Sequence, residues 1–154
     1  MENPFNLTRF VEAQAPVIDT VRAELAAGDK RTHWMWFVFP QLAGLARSST
    51  AAFFAITGLE EARAYLAHPV LGPRLLECTA LVTAVQGRTA QQIFGAPDDL
   101  KFRSSMTLFA RATSNPGPFK AALTRYFAGQ PDPATLTLLS VDLSSPPHLR
   151  ERSR

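Results

Sequence analysis

The chain is poor in the residues that build disulfides and metal centres. Cys78 is the only cysteine among 154 residues, so no internal disulfide can form and a reducing cytosol is the simplest compartment. The three histidines, at positions 33, 68 and 148, have no companion ligand at the spacing of a zinc site. We therefore predict a cytoplasmic protein with no metal centre and no bound cofactor.

Other familiar signatures are also missing. No Walker loop, GxGxxG or GxSxG motif occurs, so no known phosphate loop or serine-hydrolase turn is indicated. The opening residues do not resemble a signal peptide, and no stretch approaches the roughly 18 apolar residues that span a bilayer. The net charge of +3 is small, and part of it lies in the arginines of the last five residues. We expect neither nucleic acid nor a membrane as a partner.

Helix signals dominate what is present. Apolar residues recur three and four positions apart, in segments separated by proline and glycine, and no segment alternates cleanly as a strand would. Asn6 is a plausible N-cap, Gly28 suits a helix end, and Pro16 predicts a kink or a break. The sequence thus predicts an all-α fold, a compact single-domain bundle of about six to eight helices over residues 3–140, several of them short. Residues 141–154 are expected to be a disordered tail or a cloning remnant.

Two isolated side chains have simple structural interpretations. Cys78 lies among apolar residues of a predicted helix, which favours a buried and unreactive thiol. His68 precedes Pro69 at a predicted helix end, where an imidazole can bond the last carbonyl groups.

The most unusual segment is the aromatic run, residues 31–41, which reads RTHWMWFVFPQ and contains both tryptophans, Trp34 and Trp36. So much aromatic surface is seldom left in water, so the run forms either the centre of the core or the wall of a pocket. Core packing is the simpler interpretation. The pocket interpretation rests on polar members that are costly to bury without partners. These are Arg31, His33 and Gln41.

The pocket interpretation gives each of these side chains a chemical role. Trp34 and Trp36 present flat faces on which a planar ligand can stack. The forked guanidinium of Arg31 suits a phosphate or carboxylate. His33 is the candidate catalytic residue, because an imidazole can move a proton near neutral pH.

A second polar cluster occupies residues 98–107, which read DDLKFRSSMT. On a helix, Asp98 can pair with Lys101 and Asp99 with Arg103. Such exposed intrahelical links are the structural interpretation of this cluster, and each stabilises a helix by only a few tenths of a kcal/mol, roughly.

The same cluster also has a functional interpretation, in which it binds an anion. Three hydroxyl residues within four positions are poor choices for a buried helix face unless something completes their hydrogen bonds. If the cluster faces the aromatic run, one pocket would have an aromatic wall and a polar, cationic wall. The candidate ligand-binding residues in this cluster are Lys101, Arg103, Ser104, Ser105 and Thr107.

These motifs together resemble the domain of unknown function 1810 family, sometimes labelled calpastatin-like. The resemblance rests on residues 31–41 with the Gly44-Leu45 that follows, on residues 62–74 and on residues 98–109, and it covers about residues 3–139. It implies a compact all-helical domain of bacterial cytoplasm with no established activity. Nothing in the chain resembles a repetitive, disordered protease inhibitor.

Two functions are therefore weighed. In the first, the chain binds, or acts on, a planar anionic small molecule such as a nucleotide. In the second, it is a helical protein-interaction module without chemistry, and the aromatic run is core or interface. The two functions differ in whether the tryptophans and Lys101 converge on one concave surface. The sequence does not predict an oligomeric state.

Overall fold

The protein is described here from a computed structural model that covers residues 5–45 and 48–140. Within these ranges the fold is all-α, as predicted, with ten helices and no strand. Seven helices have seven or more residues, and the short helices α3, α4 and α7 raise the number above the predicted six to eight. The helices are Thr8–Gln14 (α1), Ile18–Ala27 (α2), Met35–Val38 (α3), Ser49–Phe53 (α4), Leu59–Ala67 (α5), Leu71–Ala84 (α6), Ala90–Phe94 (α7), Asp98–Ala112 (α8), Gly117–Phe127 (α9) and Pro133–Ser140 (α10).

The helix boundaries largely follow the local signals. Gly28 ends α2 in the left-handed conformation, with φ of 68°, which glycine adopts at little cost. The chain breaks between α1 and α2 at residues 15–17, as Pro16 predicted. The Asn6 prediction is wrong, because Leu7 is the N-cap of α1 and Asn6 itself has a φ of 51°. The predicted tail, residues 141–154, lies outside the described residues.

The long helix α8 is the centre of the bundle. It packs against α5, α7, α9 and α10, and α6 joins the other side through α2, α5 and α9. Aromatic rings fill the space between these helices: Phe39 and Phe94 both contact Phe102 of α8, with ring centroids 4.9 and 4.8 Å away. None of the helices in the described ranges is long and apolar enough to cross a lipid bilayer.

A buried ion pair joins the start of the chain to α5. Arg9 Nη2 lies 2.9 Å from Glu61 Oε2, and both side chains are almost fully buried. The Arg9 guanidinium also donates to the carbonyl oxygens of Phe53 and Ala55, and Glu61 accepts from the backbone and hydroxyl of Thr57. With these hydrogen bonds made, both charges are compensated, and the segment that precedes α5 is held against α1.

Candidate functional site

The carboxylate of Glu24 on α2 accepts hydrogen bonds from the first residues of the aromatic run. Glu24 Oε1 accepts hydrogen bonds from the backbone N–H groups of Arg31 and Thr32 and from Trp34 Nε1, and its Oε2 accepts from the Thr32 hydroxyl. The indole N–H bond is 2.9 Å long. Since Trp34 is only 1% exposed and its N–H is bonded, neither ring face is open to a stacking ligand.

The same contacts set the ionisation of Glu24. Burial acts to raise its pKa, but the hydrogen bonds donated by Arg31, Trp34 and Thr32 outweigh burial and hold the pKa below the ordinary value of 4.5. Hydrogen bonds to the ionised form favour that form, so Glu24 carries its charge at neutral pH. Within the described ranges no ion pair involves Glu24, so its charge is stabilised by donors from the aromatic run.

The second tryptophan has different surroundings. Trp36 lies in α3 and is only partly buried. Lys101 Nζ of α8 lies 5.4 Å from the centroid of the Trp36 ring, at a distance typical of a cation–π contact. The structure therefore brings together one residue from each of the two predicted clusters.

An aspartate joins this contact to a second lysine. Asp98 lies at the start of α8, and its two oxygens are 3.3 Å from Lys101 Nζ and 3.0 Å from Lys30 Nζ. Lys30 Nζ in turn lies 5.0 Å from the centroid of the Trp34 ring. The predicted Asp98–Lys101 link is confirmed. We call these five residues the lysine–tryptophan cluster, and its two lysines and one aspartate carry one net positive charge.

A cavity of about 130 Å³ opens beside Trp36. Trp36 and Gln41 both line it, and the rest of its wall is mostly alanine and glycine, at positions 43, 44, 51, 52 and 55, with Leu42 and Phe54. Its floor is fixed by a short parallel bridge between Leu42 and Ile56. Because ligand pockets usually measure about 300–1,000 Å³, this one fits a single flat ring or a similarly small group.

The hydroxyl cluster of α8 is used mainly to hold α10. Ser104 Oγ donates to Leu100 O and lies 3.2 Å from Asp132 Oδ2, while Thr107 Oγ1 donates to Arg103 O and accepts from the Asp132 backbone N–H. Asp132 also accepts from Thr135 and so caps the first turn of α10. The Ser104 and Thr107 hydroxyls thus already have partners within the protein.

Arg103 is also occupied. Its guanidinium donates to the carbonyl oxygens of Gln130 and Pro131, at 2.9 and 3.0 Å, and lies over the Phe127 ring. The expected link to Asp99 is wrong: within the described residues Arg103 has no carboxylate partner. The side chain instead fixes the segment that connects α9 to α10.

Ser105 contrasts with its neighbours. It is fully buried, one helical turn after Lys101 on the same face of α8. Its hydroxyl has no hydrogen-bond partner among the described residues, and the same is true of one buried oxygen of Asp99. An unpaired buried hydroxyl costs free energy, so Ser105 does not stabilise the fold through its oxygen.

Arg31 and His33 both lie on the exposed side of the aromatic run. Arg31 pairs with Asp29 at 2.9 Å and is otherwise largely in solvent. Within the described part of the chain, His33 has no hydrogen-bond or ion-pair partner. The structure shows no contact between His33 and Lys101, so a catalytic role for His33 stays a prediction.

Two simpler side-chain predictions have clear outcomes. Cys78 is buried, and burial together with the nearby negative charge of Glu77 raises the pKa of its thiol to about 12, which keeps it protonated and unreactive. The prediction for His68 is wrong, because its Nδ1 accepts hydrogen bonds from the N–H groups of Val70 and Leu71 at the start of α6. Within the described residues, no group of His, Cys, Asp and Glu side chains is positioned for a metal ion.

Sequence reasoning missed Glu24, whose carboxylate bonds the aromatic run at Arg31, Thr32 and Trp34. A signal was present, because Glu24 follows Val21 by three residues and precedes Leu25 on the apolar face of α2. Glu61 gives the same signal on α5, next to the buried Ala62 and four residues before Tyr65. A carboxylate inside an apolar stripe indicates a buried partner.

The fold and the cluster describe a small all-helical domain in which two lysines lie beside two tryptophans at a largely buried position. The chain belongs to the family described as Protein of unknown function (DUF1810), whose model matches residues 4–139. A crystal structure of the conserved hypothetical protein Rv1873 from Mycobacterium tuberculosis is similar to it, with 60% identity and a TM-score of 0.89. That similarity covers 90% of this chain and 99% of the mycobacterial chain. No curated protein matches.

Proposed function

We propose that this protein binds a planar anionic small molecule, of the size of a nucleobase or an aromatic carboxylate, at Trp36. The observation that carries the proposal is the position of Lys101 over the Trp36 ring, next to a cavity that Trp36 itself lines. The proposed ligand-binding residues are Trp36, Gln41 and Lys101, while Arg31 and His33 are exposed residues of the same run.

The chemistry of these groups favours a planar ligand with a negative charge. An indole face and the small apolar side chains beside it favour a flat ring, and the Gln41 amide offers both a donor and an acceptor. Lys101 is 24% exposed and shares Asp98 with Lys30, so the lysine pair has one positive charge in excess. An anion attached to the ring would neutralise that charge at the edge of the cavity.

The size of the cavity limits the ligand. About 130 Å³ cannot enclose a whole nucleotide, so only the base would enter and its phosphate would stay outside, near Lys101. The ligand class includes small aromatic carboxylates, which present ring and charge within one short molecule. The proposal concerns binding and includes no reaction step.

Thermal-shift and tryptophan-fluorescence titrations with benzoate and adenosine 5′-monophosphate test the proposal. We expect at least one of these anions to raise the Tm and to change the fluorescence, whereas benzamide and adenosine have weaker effects. Lys101→Gln should weaken binding by about five- to tenfold, because a partly exposed charge contributes about 1 kcal/mol. Trp36→Phe should remove the fluorescence change and leave the buried Trp34 signal.

Arg63→Gln is the matched control, since Arg63 is an exposed cation on α5 outside the cluster. If neither anion changes the Tm, or if Arg63→Gln weakens binding as much as Lys101→Gln does, the proposed site is wrong. His33→Ala tests the candidate proton-transfer residue separately, and unchanged affinity there would leave the binding proposal intact.

The alternative, a protein-interaction module, is favoured by one observation. Phe53 is 57% exposed and packs edge-to-face on Phe54, which lines the cavity. An exposed phenylalanine beside a cavity suits a protein partner. Sedimentation of the wild type and of Phe53→Ser separates the two functions, because an oligomer that Phe53→Ser dissociates would support the alternative.

A further inference from the structure

A second and larger cavity lies far along α8 from Lys101. It has a volume of about 350 Å³ and is formed where the second half of α8 meets α9 and the segment that leads into α10. This volume lies within the range of about 300–1,000 Å³ that is usual for small-molecule pockets. None of the residues proposed above for ligand binding at Trp36 lines it.

The walls of this cavity are apolar, and its charged residues are all of one sign. Ala110, Leu123, Pro131 and Leu136 supply the apolar surface, and the charged lining residues are Arg111 and Lys120. Among the described residues, no carboxylate lies within 4.0 Å of either cation. The nearby carboxylate of Asp132 is already bound by Ser104 and Thr135.

Helix electrostatics explain only one of the two cations. Arg111 is in the last turn of α8, where a positive side chain is stabilised by the helix dipole. Lys120 is the fourth residue of α9, near the positive end of that helix, where the dipole disfavours a cation. The helix dipole therefore does not stabilise the charge of Lys120, an exposed side chain at the cavity.

The hydroxyl groups at the cavity also differ in availability. Thr107 Oγ1 both donates to Arg103 O and accepts from the Asp132 N–H, so its bonds are complete. Thr124 on α9 is exposed, and its hydroxyl has no hydrogen-bond partner among the described residues. Thr124 can thus donate to a ligand bound between Arg111 and Lys120.

We propose that this cavity binds a small aliphatic carboxylate, with the carboxylate between Arg111 and Lys120 and the hydrocarbon chain against Leu123 and Leu136. Two unpaired cations favour the anionic group, and the apolar walls favour the hydrocarbon. The chain's own residues 141–154 are a poor match in charge, because they contain three arginines and only two acidic residues. The proposal does not rest on the site at Trp36.

Titration with octanoate, followed by amide NMR shifts and calorimetry, tests this site. We expect saturable binding with shifts centred on Thr124, Gly129 and Leu136. Arg111→Gln and Lys120→Gln should each weaken octanoate binding by up to about fivefold, as expected for one charge contact at an exposed side chain. The uncharged 1-octanol should bind to the wild type at least as weakly as octanoate binds to the double variant Arg111→Gln/Lys120→Gln.

Two further variants make the outcome decisive. Thr124→Phe places a ring in the mouth of the cavity and should abolish octanoate binding. Because position 124 is exposed, the Tm of this variant should stay close to that of the wild type. Arg63→Gln changes the net charge equally but lies on α5, and it should bind octanoate normally. Any of three results would overturn the proposal. These are no saturable binding of octanoate, equally tight binding of 1-octanol, or octanoate binding that is unchanged by the substitutions of Arg111, Lys120 and Thr124.

Discussion

Two pairs of neighbouring residues in the candidate region differ in the same way. Trp34 and Ser104 each contact a carboxylate from another part of the chain, Glu24 and Asp132 respectively. Their neighbours Trp36 and Ser105 have no such partner among the described residues. In each pair the bonded member fixes tertiary structure, and the other is available for another role or makes no polar contribution.

This difference changes how a polar and aromatic motif should be interpreted. Residue type alone made both tryptophans stacking candidates and all three hydroxyl residues of α8 binding candidates. The carboxylates of Glu24 and Asp132 distinguish the members of each group, because a donor that is already hydrogen-bonded inside the protein is not available to a ligand. The comparison leads to four predictions about stability.

The largest difference is expected between the two tryptophans. Trp34→Ala should lower the free energy of unfolding by about 3–5 kcal/mol, because loss of a fully buried indole leaves a large cavity and removes one of the hydrogen bonds to Glu24. Trp36→Ala should cost about 1–2 kcal/mol, since the side chain is only partly buried. Urea denaturation followed by circular dichroism measures both. Equal losses would show that the two residues have the same structural role.

A smaller effect is expected at the carboxylate itself. Glu24→Gln should lower the free energy of unfolding by about 1.5–3 kcal/mol, because it replaces charge-assisted hydrogen bonds with neutral ones and leaves one donor poorly matched. Urea midpoints at neutral pH measure the loss. Glu77→Gln is the matched control, since the Glu77 side chain is about half exposed and, among the described residues, pairs with Arg22 alone.

The Glu24 contribution also has a defined pH dependence. Its pKa in the folded protein is below the ordinary 4.5, so its stabilisation is complete above pH 4.5 and is lost as the pH falls through the folded pKa. Glu24→Gln should therefore lose less stability than the wild type when the pH is lowered below 4.5. Parallel acid-induced losses in the two proteins would contradict the assignment.

The smallest effects separate the two serines. Ser104→Ala removes the contacts to Leu100 O and Asp132 and should lower the free energy of unfolding by about 1 kcal/mol. Ser105→Ala removes a buried hydroxyl that has no partner, so its effect should lie within about 0.5 kcal/mol of zero or be stabilising. Thermal unfolding of both variants measures the difference. A larger loss for Ser105→Ala would reveal a partner for its hydroxyl.

The sequence predicted the fold better than the site. Apolar spacing, Pro16 and Gly28 indicated helices and their ends because these signals act within a few residues. The link between Asp98 and Lys101 was predicted for the same reason, since its partners are one turn apart. The predicted Asp99–Arg103 link and the predicted carbonyl partner of His68 were wrong, because Arg103 bonds Gln130 and Pro131 and His68 bonds the start of the next helix.

The sequence by itself determined the helical class, the aromatic run and the residue types from which a site can be built, because periodicity and composition are local properties. The tertiary structure decided which of those residues have hydrogen-bond partners inside the protein and which do not. Glu24 folds back onto Trp34 from ten positions earlier, and Lys101 reaches Trp36 from across the bundle. Those pairings follow from helix packing, which no short stretch of sequence specifies.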